Sequence, residues 1–111
     1  MAANQEKINL FEAAARMTPY ANEAIAEVND HVIRMAAIDG DFHWHKHEEG
    51  DECFVVLEGE LHIDFEDRTV SLKAGELYTV KAGVLHRTRS NGRTVNLCFE
   101  KADNDIEGTR S

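Results

Sequence analysis

Residues 40–59 read GDFHWHKHEEGDECFVVLEG, and the alternation in this stretch decides the fold. In an extended chain, side chains two positions apart share a face. His43, His45 and His47 therefore project to one side, and Phe42, Trp44 and Lys46 to the other. The turn Glu48-Glu49-Gly50-Asp51 reverses the chain, so that Glu52 opens a second strand and returns its carboxylate to the histidine side. On that strand Glu52, Phe54 and Val56 share one face, and Cys53, Val55 and Leu57 the other.

Working outward, the same short-strand pattern recurs. Ala24–Val28 and His31–Ile38 flank Asn29-Asp30, a two-residue hairpin turn. Leu61–Phe65, Thr69–Leu72, Leu77–Val80, Val84–Thr88 and Thr94–Phe99 follow, separated by turns rich in Gly, Asp and Asn. Many short strands at this spacing predict a sandwich or barrel. In Val84–Thr88 the inward set is Val84, His86 and Thr88, with Arg87 and Arg89 facing away. In Thr94–Phe99 the apolar set Val95, Leu97 and Phe99 alternates with Asn96 and Cys98, which places both cysteines out of phase with the core face. One helix precedes the strands. Asn9-Leu10-Phe11-Glu12 has the form of a capping box, Leu10, Phe11, Ala14 and Met17 fall at helical spacing, and Pro19 ends the run. A helix this short must dock on something. The expected organisation is a helical arm over 1–19, a barrel over 20–100 and a flexible tail over 101–111.

The chain has 111 residues, enough for one domain with a real core and no more. A formal net charge of −9 argues against a nucleic-acid partner and against an anionic lipid surface. No stretch reaches the ~20 apolar residues of a membrane span. The N-terminus lacks the basic-then-apolar order of a signal peptide. Two cysteines do not make a disulfide framework, so a cytoplasmic setting is expected.

Three imidazoles and a carboxylate converging inside a barrel form a mixed N/O site for a first-row divalent ion, with coordination positions left open for substrate, water or dioxygen. At this point a family resemblance enters. Gly40-x4-His45-x-His47-x4-Glu52-x6-Gly59 resembles the first cupin motif, and Gly75…Gly83-x2-His86 the second. Lys81 stands where the second motif usually carries proline, and Ser90 where it carries asparagine. The wording WHKHEEGDECFVVLEGEL is especially similar to small single-domain cupins described as mannose-6-phosphate isomerase-like.

The resemblance implies an all-β, double-stranded β-helix (jelly-roll) cupin barrel with a short N-terminal helix outside. It implies His45, His47, Glu52 and His86 as ligands of one divalent ion: Fe, Mn, Ni, Zn or Cu. Gly59, Gly75 and Gly83 would serve tight turns. The competing register, His43/His45 with Glu49, would put Val56 where the turn glycine belongs. His43 is thereby left beside the ligands as the candidate proton-transfer group, with Tyr78 behind it.

The function expected is a metal-dependent cupin acting on a small polar metabolite, of isomerase, oxygenase, lyase or decarboxylase type. The alternatives are a non-catalytic metal-containing module that binds a small ligand, and a stress-type structural barrel. No inward basic pair suits a sugar phosphate, so phosphomannose isomerisation is not favoured. Pocket side chains are expected among Arg34, Met35, Leu77, Thr79, Asn96 and Phe99, while His31 and His62 read as solvated. Arg87, Arg89 and Arg93 read as outward charges rather than an anion site. The acidic turn 48–51 borders the expected mouth. The outward set Trp44, Val55 and Leu57, with exposed strand edges, predicts a homodimer.

Overall fold

The computed structural model describes residues 6–104 and 109–110. Helix α1 (Leu10–Ala15) starts at Asn9, whose side-chain oxygen accepts the Glu12 backbone N–H at 3.0 Å. Ten strands follow among the described residues: β1 (Asn22–Val28), β2 (His31–Ile38), β3 (His45–Lys46), β4 (Glu52–Glu58), β5 (Glu60–Asp64), β6 (Thr69–Lys73), β7 (Leu77–Val80), β8 (Arg87–Arg89), β9 (Thr94–Lys101) and β10 (Thr109–Arg110). They form a five-stranded sheet in the order β1-β2-β9-β4-β7, a three-stranded sheet β6-β5-β8 and the pair β10-β3. Every pairing is antiparallel. Among the described residues no helix is long and apolar enough to cross a membrane.

Turn chemistry matches the sequence. Asn29 has φ 54°, the left-handed conformation that Asn tolerates better than most residues, at the β1–β2 hairpin. Gly59, with φ 82°, joins β4 to β5 in a tight approach. A Cβ there would stand 2.6 Å from both Arg93 O and Thr94 Oγ1, so only glycine fits.

Two apolar layers hold the molecule together. Between the sheets lie Phe54, Val56, Leu61, Ile63, Phe65, Leu72 and Val80. On the outer face of the five-stranded sheet, Met35, Ala37 and Val95, with Leu57 and Leu97, are covered by Ala14 and Met17 of the helical arm. Each large side chain so buried contributes roughly 1.5–3 kcal/mol, which is how a six-residue helix is retained. Arg93 finishes the dock by donating from its two terminal nitrogens to Met17 O and Ala14 O, both at 2.6 Å, at the C-terminal end of the helical arm. Arg93 is thus a helix anchor rather than a solvated charge.

This outer layer reverses the expected phase of β9. Val95 and Leu97 face the helical arm and Phe99 is exposed, whereas Asn96, Cys98 and Glu100 are buried on the barrel's inner side. Cys98 is therefore inside, contrary to expectation. The register agrees: Arg34 pairs with Cys98 and Cys98 with Phe54, while Met35 pairs with Leu97. Of the pocket residues expected, Arg34 and Asn96 line the interior, Met35 lies under the helix, and Leu77, Thr79 and Phe99 are exposed.

Other expectations also change. Phe42–His47 is not one strand, because only His45–Lys46 is extended and paired. Phe11 is 70% exposed, off the docking face of α1. In the expected tail, Lys101 closes β9, Ala102 N–H donates to Asp30 O, Asn104 bonds Glu100, and Thr109–Arg110 pair with β3. Residues 101–104 thus belong to the barrel, and 105–108 and 111 lie outside the described residues. Leu57 is packed against the arm's cluster and Trp44 carries the Arg87 guanidinium 5.3 Å above its ring, so Trp44, Val55 and Leu57 do not form one open patch.

Candidate metal centre

Four side chains meet near the start of β4. His45 on β3 and His86, just before β8, face each other across an isolated antiparallel bridge. Each accepts the other's backbone N–H at 2.9 Å, which brings their rings to 4.5 Å between centroids. His47 follows two residues after His45, and its carbonyl accepts the Gly83 N–H at 2.8 Å, tying the strand to the loop before His86. Glu52 enters from β4 opposite Val80. All four residues are buried, with His86 only 1% exposed.

Tautomers follow from the acceptors. His45 Nδ1 lies 2.9 Å from His43 O, and His86 Nδ1 lies 2.9 Å from Val84 O. A carbonyl can only accept, so both Nδ1 atoms carry the proton and both Nε2 atoms present a lone pair. His47 Nε2 and His86 Nε2 approach Glu52 Oε1 at 3.2 and 3.3 Å. Donor atoms of His45, His47 and Glu52 all lie within 4.8 Å of one another. His86 lies outside that mutual distance and reaches the group only through Glu52 Oε1, 3.3 Å from its Nε2. Neither Glu52 Oε1 nor His86 Nε2 has a hydrogen-bond partner of good geometry, though both are fully enclosed. Buried polar atoms without partners are costly, and a cation among them would satisfy both.

Electrostatics suit the same purpose. Burial holds His45 down at about 4, so its imidazole is neutral at physiological pH. Burial by itself would raise the Glu52 carboxyl, but the His47 and His86 imidazoles beside it outweigh burial and hold the group at about 2. Neutral imidazoles and an ionised carboxylate are the ligand forms metals require. Cys98 Sγ stands 3.7 Å from Glu52 Oε2, and burial together with the Glu52 and Glu100 charges pushes its thiol well above the ordinary range. It is an S–H donor that steadies the carboxylate oxygen turned away from His47 and His86.

A cavity of about 280 Å³ opens beside this cluster, with His45 and Glu52 in its wall. Ile38, Phe42 and Phe54 supply apolar surface, while Arg34, Asn96 and Glu100 supply polar groups. Phe42, expected to face outward, lines the cavity, and His43 is not among its lining residues. Alternation fails there because residues 42–44 are not extended strand. The His43 ring packs against Phe42 and stands 5.2 Å from His45, and its carbonyl orients His45. Tyr78 packs at a tilt against Phe65 and accepts from Arg68, outside the cavity lining.

Glu49 is exposed, so the rival pairing His43/His45/Glu49 is not assembled. The acidic turn does not border the cavity either. Asp51 instead accepts from Lys81 Nζ at 3.0 Å and Ala82 N at 2.8 Å, fastening the turn to the loop before His86. On the outer surface Arg87 and Arg89 both donate to Asp64 Oδ2, at 2.9 and 2.7 Å, so they form a structural cluster rather than an anion site. Glu100 and Cys98 beside the cavity were the least legible in sequence. The usable signal was the polar series Asn96-x-Cys98-x-Glu100 at period two.

Two antiparallel sheets wound around an internal polar cluster define a jelly-roll barrel with a histidine–carboxylate pocket. The chain belongs to the cupin family, whose cupin domain (Cupin_2) matches residues 31–99. It is 54% identical over 82 residues, 73% of each chain, to the uncharacterized protein YdbB of Bacillus subtilis (strain 168). Among solved structures, it resembles a cupin-2 domain containing protein from Shewanella frigidimarina at 33% identity and TM-score 0.82, covering 85% of this chain and 93% of that one. It also resembles protein NMB1881 from Neisseria meningitidis at 28% identity and TM-score 0.78, covering 87% and 100% of the two chains.

Proposed function

We propose that the protein is a metal-dependent cupin that holds one divalent first-row ion on His45, His47, Glu52 and His86 and acts on a small polar metabolite in the adjoining cavity. The observation that carries the reading is the enclosed Glu52 Oε1, approached by His47 Nε2 and His86 Nε2 at 3.2 and 3.3 Å, with neither Oε1 nor His86 Nε2 satisfied by the protein. Bound there, the ion would supply Lewis-acid polarisation of a substrate oxygen. The chain's own residues do the rest. The carbonyls of His43 and Val84 fix two imidazoles, Cys98 holds the far oxygen of Glu52, and Ile38, Phe42 and Phe54 give the cavity apolar surface.

Fe, Mn, Ni, Zn and Cu all suit such a ligand set. The two free cysteines fit a cytoplasmic setting, and the edges of β1 and β7, which pair with no further strand among the described residues, fit a homodimer. Elemental analysis of untagged protein, with His45→Ala and His86→Ala beside it, tests the reading. Stoichiometric metal in wild type and loss in both variants is expected, and wild-type metal content in the variants would reject the ligand set. A turnover screen of the loaded protein on sugars, oxo acids, diketones and diols, with and without oxygen, then separates an enzyme from a binding module.

A further inference from the structure

The metal-ligand reading leaves Arg34 unexplained. Its Cα pairs with Cys98 across the five-stranded sheet, and its side chain lines the cavity with only 17% exposure. An arginine placed inside an apolar barrel is expensive unless it is matched. The match is partial. Nε donates to Glu100 Oε2 at 3.1 Å, and the other Glu100 oxygen accepts from Asn104 at 3.3 Å. One guanidinium N–H of five is used in that bond, and the terminal fork is the part that recognises a carboxylate through two parallel hydrogen bonds.

Resting on the proposed metal site, we infer that the cavity takes a short-chain monocarboxylate bearing a second oxygen, with the carboxylate on the Arg34 fork and the other oxygen toward His45 and Glu52. Three observations converge on this class. Arg34 is the one Lys or Arg side chain among the described residues lining the cavity, which fits a single negative charge better than a phosphate dianion. A divalent ion less the Glu52 charge leaves one positive charge, and Arg34 and Glu100 cancel, so the loaded wall has a net charge that one carboxylate neutralises. The volume of about 280 Å³ has room for about nine water-sized groups, and lies below the ~300–1,000 Å³ of drug-sized pockets. Geometry agrees as well. Arg34, Cys98 and Phe54 lie in one row across β2, β9 and β4, and Glu52 is two residues along β4 on the same face. The recognition group and the metal ligand therefore sit at opposite ends of a span of about 12 Å of sheet.

Calorimetry of lactate, pyruvate and 3-hydroxybutyrate, each beside its neutral amide, tests the inference. The titrations use wild type, Arg34→Lys and Arg34→Gln/Glu100→Gln, the double variant removing both charges so that no lone buried carboxylate remains. At least one acid should bind wild type about tenfold or more tighter than its amide. That preference should vanish in the double variant and weaken in Arg34→Lys, while metal content stays stoichiometric. Equal binding of acid and amide, no binding of any acid, or a preference that survives in the double variant would overturn it. Metal content measured on the same samples keeps the two claims apart. If wild type holds no metal the metal reading fails, and the acid-over-amide preference of that protein still decides the role of Arg34.

Discussion

Acidifying the metal-free protein should destabilise it through His45. Burial holds this imidazole at about 4 against an ordinary 6.5, with the His43 carbonyl acting in the other direction. The sign follows from proton counting. Between those two values the unfolded chain binds a proton that the folded protein does not, so stability rises with pH across that window and is lost as pH falls through it. A displacement from 6.5 to about 4, at 1.36 kcal/mol per pH unit, amounts to roughly 3 kcal/mol. His45 is 3% exposed, so solvent screening takes little from this figure. Urea unfolding of chelator-treated protein, followed by the fluorescence of the single tryptophan, Trp44, gives the profile. The difference between wild type and His45→Gln isolates the residue, because the other titrating groups are shared. Wild type should lose roughly 3 kcal/mol more than the variant between pH 6.5 and 4. Parallel profiles, or a His45 ring titrating near its ordinary value by NMR, would refute the reasoning.

Arg93→Ala should free the helical arm by removing the donors to Ala14 O and Met17 O, costing about 2 kcal/mol in urea unfolding and speeding tryptic cleavage at Arg16, with metal content unchanged. Asp64→Asn should cost about 2 kcal/mol at pH 7, since Asp64 receives Arg89, Arg87 and Thr69. The Arg89 hydrogen bond foremost holds the Asp64 carboxyl well below the usual carboxylate range. Wild type should therefore keep its advantage above pH ~4 and lose it progressively below, as seen in acid-unfolding curves of the two proteins.

Much of the barrel was legible because its strands alternate around turns that only a few residues tolerate. His45, His47 and Glu52 could be placed together from period two and one reversal of chain, and Gly59 marked the end of β4. The inner face of β9 was concealed for a physical reason. The five-stranded sheet is apolar on both sides, inward against the second sheet and outward under α1. Hydrophobicity therefore does not say which face of β9 is inside, and Cys98 and Glu100 were assigned to the wrong side or passed over. Residues 42–44 failed for another reason. They read as strand but form no continuous ladder, held only by the neighbouring Asp41–Arg89 bridge and the Phe42 N–H donated to Thr88 O, and Phe42 lines the cavity while His43 serves through its carbonyl.

Crystals of protein loaded with a single first-row metal, measured at that metal's absorption edge, address the centre of the account. An anomalous peak within about 2.0–2.2 Å of the Nε2 atoms of His45, His47 and His86 and of a Glu52 oxygen is the result expected. A fully loaded protein whose peak lies elsewhere, or touches fewer than three of these four side chains, would contradict it.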